Sequence, residues 1–209
     1  LRLRRGALFL CIALAGCAID LGTKSWIFGE LGNIEVVSGS PSAPLPAPQP
    51  PIWLVDEVFG FETSLNEGAL FGLGQGQVRL FAGLSIVALL GITYWLFFAG
   101  ACRDHLLTIS LGCVSAGILG NLYDRAGLPG LKWSTLVDLR RGHDPGDAVH
   151  AVRDWLHFKI DAINFDWPIF NLADSLLVCG ALILLWHALM VREPGGAAKP
   201  ADKTDDRAK

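Results

Sequence analysis

The residues able to do chemistry are carboxylates and amides set at the ends of apolar runs: Asp20, Asn121, Asp124, Asn171 and Asp174, with Lys24 and Arg125 among them. Asp20 and Lys24 are spaced i, i+4 and share one helix face. Asn121, Asp124 and Arg125 close one apolar run, and Asn171 and Asp174 open another on a common face. The chain has no H-E-x-x-H, G-x-S-x-G or Walker sequence, so zinc, serine and nucleotide-dependent chemistry are unsupported. Two carboxylates brought close share a proton, so one can activate water while the other protonates a carbonyl oxygen or a leaving nitrogen. That is aspartic-peptidase chemistry, and it calls for neither metal nor cofactor. Asp147, His150 and Asp154 have the spacing of a helical metal site, but read more simply as the solvated face of an amphipathic helix.

These groups need a scaffold, and the composition says what kind. The chain has 209 residues, 52% of them hydrophobic and 18% charged, and its mean hydropathy is +0.43. A membrane span needs about 20 predominantly apolar residues. Four such windows occur, at about 7–28, 80–98, 105–123 and 169–191, predicting a mainly α membrane fold. Arg2, Arg4, Arg5 and Arg103, and the basic residues after the fourth window, fall on one side, which the positive-inside rule makes cytoplasmic. Between Ser25 and Val78 there is no Lys or Arg, so segment 29–78 lies outside, and span parity puts 124–168 there too. On this topology Asp20, Lys24, Asn121, Asp124, Arg125, Asn171 and Asp174 converge on the outer leaflet. Buried ionisable groups are expensive there, and such agreement from three spans indicates a site.

The outer segments have their own patterns. Residues 38–51 are too proline-rich for helix or central strand and predict an extended insertion. Asn33–Val37 and Phe59–Asn66 alternate as strands do, predicting a small extracytoplasmic β-rich segment. Gly146–Ile160 has apolar residues at helical spacing, predicting a periplasmic helix lying on the membrane surface. Residues 1–192 form one polytopic domain, and 193–209 are expected to be a disordered cytoplasmic tail. Gly112, Ala116 and Gly120 form a small-residue stripe suited to close helix packing. The five cysteines lack C-x-x-C spacing and predict no disulfide framework.

Five motifs in register resemble the signature boxes of the bacterial lipoprotein signal peptidases, the signal peptidase II family. They are DLGTK (Asp20–Lys24), NEGALF (Asn66–Phe71), GILGNLYDR (Gly117–Arg125), VRDW (Val152–Trp155) and FNLAD (Phe170–Asp174). The resemblance implies an aspartic endopeptidase that removes the signal peptide of diacylglyceryl-modified prolipoproteins, cutting just before the lipidated cysteine. It implies Asp154 and Asp174 as the catalytic residues. Asn66, Gly68, Asn121, Arg125 and Asn171 would surround the site, while Asp20, Lys24 and Asp124 would position helices and substrate. It further implies diacylated prolipoproteins and membrane lipid as partners, with globomycin as inhibitor. The expected location is the bacterial inner membrane, with both termini cytoplasmic and the site at the outer leaflet. A monomer is expected, with no nucleic-acid partner. The long outer segments, 38–51 and 127–149, depart from the compact family pattern.

Alternatives stay open at this level. Asp124, or less readily Asp138, could replace Asp154 as the partner of Asp174. Arg125 and the helix end would keep Asp124 ionised, which counts against it. Intramembrane carboxylates also mark transporters, although no inverted repeat or inward relay is evident. Leu14-Ala15-Gly16-Cys17 follows three arginines and an apolar run, the pattern of a lipoprotein leader anchored through Cys17. The apolar run continues to Phe28, however, and carries Asp20 and Lys24, so Cys17 reads as a packed helix residue. The sequence begins at Leu1, and an initiator upstream of it is expected.

Overall fold

The computed structural model describes residues 2–39, 45–68, 73–135 and 142–190. Four helices run through it: α1 (Arg2–Leu31), α2 (Val78–Phe97), α3 (His105–Arg125) and α4 (Leu172–Met190). Each is long and apolar enough to cross a membrane. At 1.5 Å per residue α1 extends about 45 Å, so it outreaches a hydrocarbon core of about 30 Å. It stops at Gly32, whose φ of +62° suits glycine and whose N–H donates to the Phe28 carbonyl at 3.0 Å, a left-handed helix cap. The α3 helix starts at Asp104, whose carboxylate accepts from the Leu106 and Leu107 amides at 2.8 and 2.9 Å.

Helix α3 is the centre of the bundle because its small residues admit neighbours on two sides. Gly112 lies against Ile12 of α1, Ala116 is fully buried against Gly16 of α1, and Gly117 faces Ala173 and Leu177 of α4. The predicted stripe therefore packs helices closely, as small residues allow. By contrast α2 buries only Leu96 among its described residues, while Leu84, Val87, Leu90 and Tyr94 are exposed, as on a helix that faces lipid. Helix α1 passes uninterrupted through Cys17, which is partly covered, and all five cysteines are free.

Two small antiparallel sheets cap one end of the bundle. Strands β1 (Val36–Ser38) and β4 (Leu131–Trp133) form one. The other has the order β2 (Ile52–Val55), β3 (Phe59–Asn66), β5 (Val152–Ile160), β6 (Phe165–Phe170). Phe28, Val36, Leu65, Trp133 and Val149 form the core beneath them, and Ile27, Leu31 and Trp155 form a second apolar cluster beside α1. Of the two predicted strand regions, Phe59–Asn66 is β3, whereas Asn33–Val37 is strand only at Val36 and Val37, the start of β1.

The surface helix expected at Gly146–Ile160 is not there: Val152–Ile160 is β5, paired with β3 on one edge and β6 on the other. Its sequence, VRDWLHFKI, satisfies a helical and a twofold period alike, and its β-branched and aromatic side chains fit a pleated strand once partners exist on both sides. The solvated face read from Asp147, His150 and Asp154 fails with that helix, since Asp154 is only 2% exposed. The fourth span likewise begins at Leu172 rather than residue 169, because the preceding residues complete β6. Asp138 and the 193–209 tail lie outside the described residues.

Candidate active site

The first turn of α4 assembles half of the site by capping itself. Asn171 Oδ1 accepts the Asp174 amide at 3.0 Å, and Asp174 Oδ2 accepts the Asn171 amide at 3.2 Å. This is a reciprocal capping box, which satisfies two backbone donors and fixes both side chains. A third donor of the same turn, the Ala173 amide, reaches Asp20 Oδ1 of α1 at 2.9 Å. The start of α4 is thus tied to α1 by a carboxylate placed at its positive dipole end.

Beneath this turn lies a fully buried charge network. Lys24 Nζ forms ion pairs with Asp20 Oδ2 at 2.8 Å and Asp124 Oδ2 at 3.0 Å, and donates a hydrogen bond to Asn121 Oδ1 at 2.9 Å. Asp124 also accepts Arg153 Nε at 2.9 Å and the Arg153 amide at 3.2 Å. Lys24, Arg153, Asp20 and Asp124 balance to zero charge, which is how such groups persist in an apolar interior. Gly120 is required here, because a side-chain carbon on it would meet the Asp20 carboxylate and Ala173.

Asn121 carries the order of this network upward. With its oxygen held by Lys24, its Nδ2 donates to Asp174 Oδ1 at 2.9 Å. Asn171 Nδ2 in turn donates to Asn121 Oδ1 at 3.1 Å and to Asp154 Oδ1 at 2.6 Å. Asp154 arrives from β5, where Ser64 of β3 is its cross-strand partner and Asn66 bonds its side chain. Asn171 therefore joins the two carboxylates from different elements, its side chain donating to Asp154 and its backbone amide to Asp174.

Asp154 and Asp174 border one cleft of about 50 Å³, together with Asn66, Asn121 and Arg125. A water needs about 10–15 Å³ measured in this way, so a few fit. Neither carboxylate is ion-paired with a described residue, in contrast to Asp20 and Asp124. Burial, and then the neighbouring Asp174 charge, push the Asp154 carboxyl up to about 8. At neutral pH it holds a proton, so the cleft contains the pairing that acid–base hydrolysis needs. Arg125 closes one side, its Nη2 donating to the Gly68 carbonyl at 2.8 Å.

The family profile described as signal peptidase (SPase) II matches residues 12–190. A lipoprotein signal peptidase of Rhodopirellula baltica is 42% identical over 184 residues, covering 87% of this chain and 71% of that protein. The chain belongs to the signal peptidase II family. It is accordingly an aspartic peptidase, and with its four candidate spans a multi-pass membrane protein. The lipoprotein signal peptidase of Bacillus subtilis is 28% identical over 185 residues, 88% of this chain and 94% of that one. A bacterial membrane enzyme solved in meso at 2.3 Å resolution shares the fold, with a TM-score of 0.63, 22% identity and 88% coverage of both chains.

In this signal peptidase II the residues singled out from sequence divide into two groups. Asp154, Asp174, Asn66, Asn121, Asn171 and Arg125 meet at the cleft, while Asp20, Lys24 and Asp124 form the buried network below it. Gly68 contributes its carbonyl to Arg125. Asp124 differs from expectation in its partners: Arg125, next to it in sequence, turns away, and Lys24 and Arg153 neutralise Asp124 instead. Arg153 is the residue sequence reasoning missed. It was visible only as one charge among several in a long connection, and its register on β5 beside Asp154 makes it a partner of α3.

Proposed function

We propose that this signal peptidase II removes the signal peptide of diacylglyceryl-modified prolipoproteins by cleaving just before the lipidated cysteine, with Asp154 and Asp174 as its catalytic pair. The observation that carries the reading is the Asn171 bridge: two carboxylates without cation partners among the described residues are held at one water-sized cleft. Asp174 accepts an N–H on each oxygen, the pattern of an ionised carboxylate, and is assigned as the base. It takes a proton from water as the oxygen adds to the scissile carbonyl carbon. Asp154, protonated at neutral pH, gives its proton to the carbonyl oxygen. The tetrahedral intermediate then collapses, its hydroxyl proton returning to Asp154. The C–N bond breaks, and the nitrogen of the cysteine leaves with the proton held by Asp174.

The cleft lies at the sheet end of the bundle, assigned to the outer face of the inner membrane with both termini cytoplasmic. There the diacylglyceryl group stays in the bilayer, contributing about 0.8 kcal/mol per buried CH₂, while the scissile bond reaches polar groups and water. Residues 1–192 are assigned as one peptidase domain, acting as a monomer and sensitive to globomycin. The test is cleavage of a diacylated precursor by the purified protein, with and without globomycin. Globomycin-sensitive release of a product beginning at the lipidated cysteine is expected. Equal cleavage of the unlipidated precursor, or none of either, would overturn the reading.

A further inference from the structure

A second cavity, of about 700 Å³, opens beside the cleft between the first turns of α2 and the segment 142–150. Its volume is in the range of ligand-binding clefts, well above the cleft's own value of about 50 Å³. Arg125 walls both. We propose that this groove seats the polypeptide that follows the lipidated cysteine, holding the mature side of the substrate while the cleft holds the scissile bond. The proposal rests on the prolipoprotein reading above.

The charges favour a peptide chain over a lipid headgroup. Glu67 and Asp147 line the groove together with Arg79 and Arg125, so its acidic and basic side chains balance. An anionic headgroup would want a net positive lining, whereas an extended backbone offers alternating donors and acceptors and carries no net charge. Arg125 adds an unmet donor: its Nη2 is taken by Gly68, its guanidinium stacks over Phe81 at 5.6 Å, and its buried Nε has no hydrogen-bond partner among the described residues. Buried donors are almost always paired, and a substrate carbonyl crossing from cleft to groove supplies the acceptor.

The groove is also built in advance. The His143 ring stacks on Trp133 at 4.6 Å and 10°, and its Nε2 pairs with Glu67, which is only 4% exposed. The 142–150 segment is thereby locked to the 66–68 segment, which carries Asn66 to Asp154 and Gly68 to Arg125. On the other side of the cleft the lining is apolar, with Trp167, Pro168 and Ile169. The two sides suit the two parts of the substrate: a signal sequence and acyl chains that remain with lipid, and a polypeptide bound for water. The long 127–149 connection then has a purpose, since its residues His143, Asp147 and Ala148 supply one wall of the groove.

Two diacylated substrates separate this proposal from the activity itself: a full-length precursor, and a precursor ending one residue after the cysteine. Ala148 is exposed and lines the groove but not the cleft. Ala148→Trp should raise KM for the full-length precursor by about tenfold without changing kcat, and leave the truncated substrate unaffected, as loss of uniform binding does. Equal KM changes for both substrates, or none for either, would overturn the groove. Should Ala148→Trp fold poorly, a photo-crosslinker at the third residue after the cysteine supplies the answer on the unmodified enzyme. Crosslinks to residues 142–150 or to the first turns of α2 support the groove, and crosslinks to β6 overturn it. Failure of the unmodified enzyme to cleave either substrate would instead refute the prolipoprotein reading itself.

Discussion

Asp154→Asn should make the protein inactive and, at neutral to alkaline pH, more stable. Asn keeps the acceptor for Asn171 Nδ2, which lies 2.6 Å from Asp154 Oδ1, and has an N–H where the protonated acid has its O–H. It cannot release a proton. In the wild type, burial and the Asp174 charge raise the Asp154 carboxyl from 3.8 to about 8. The folded state thus holds this proton more tightly than the unfolded chain. The stability it contributes is fully present below pH 3.8 and is lost as pH rises through about 8. Between pH 3.8 and 7 that loss accumulates at about 1.36 kcal/mol per pH unit, an order of magnitude of about 4 kcal/mol. The Asn side chain does not titrate, so the variant escapes the loss. Thermal unfolding in detergent at pH 5 and pH 8, beside cleavage of a diacylated precursor, measures both effects. The wild-type midpoint should fall between the two pH values, and that of the variant should fall less. Cleavage should drop by at least about 10²-fold, the lower end for a lost acid–base group. A variant that still cleaves, or that melts below the wild type at pH 8, would refute the reasoning.

Other substitutions test the division between cleft and network. Asp174→Asn should abolish cleavage while the protein still inserts and folds, which in-gel processing and a melting curve can check together. Asp124→Asn removes a partner of both Lys24 and Arg153 and should cost about 3–5 kcal/mol of stability. The fraction that folds should still cleave, and an Asp124 variant as stable as wild type but inactive would return Asp124 to the catalytic pair. Lys24→Met should also destabilise by about 3–5 kcal/mol, and Asp20→Asn added to it should recover part of the loss in the melting temperature. Gly117→Ala drives a methyl group into the Ala173 carbonyl and Leu177, and should lower stability by about 1–3 kcal/mol through overpacking, read in the same unfolding assay.

The division of charge explains why a single site can hold so many carboxylates. Asp20 and Asp124 are neutralised by Lys24 and Arg153, and each holds a backbone amide as well: Ala173 for the first, Arg153 for the second. They hold α1, α3, α4 and β5 in one arrangement. That leaves Asp154 and Asp174 without an ion-pair partner among the described residues, and burial of Asp154, with Asp174 close by, becomes the source of the retained proton. The amides of Asn121 and Asn171 connect the two groups, because an amide can donate to one carboxylate while accepting from a cation or a backbone N–H.

How much was legible beforehand depends on how local each property is. Spans such as Leu80–Phe98 could be read directly, because insertion depends on apolar content within about 20 consecutive residues. The Asp20–Lys24 pair and the common face of Asn171 and Asp174 were equally readable, since helical spacing alone places such side chains together. Asp154 was not. Its segment fits a helix or a strand, and pairing with β3 and β6, distant in sequence, decided for the strand. The partners of Asp124 were hidden for the same reason. Arg125 is its neighbour in sequence, yet Arg153 on β5 and Lys24 on α1 are its neighbours in space. Short-range spacing determined which groups sit at the end of the bundle. Only the packing of α1, α3, α4 and β5 decided which carboxylates are neutralised and which pair keeps a proton, because those outcomes depend on burial and on charges that the chain brings together from far apart.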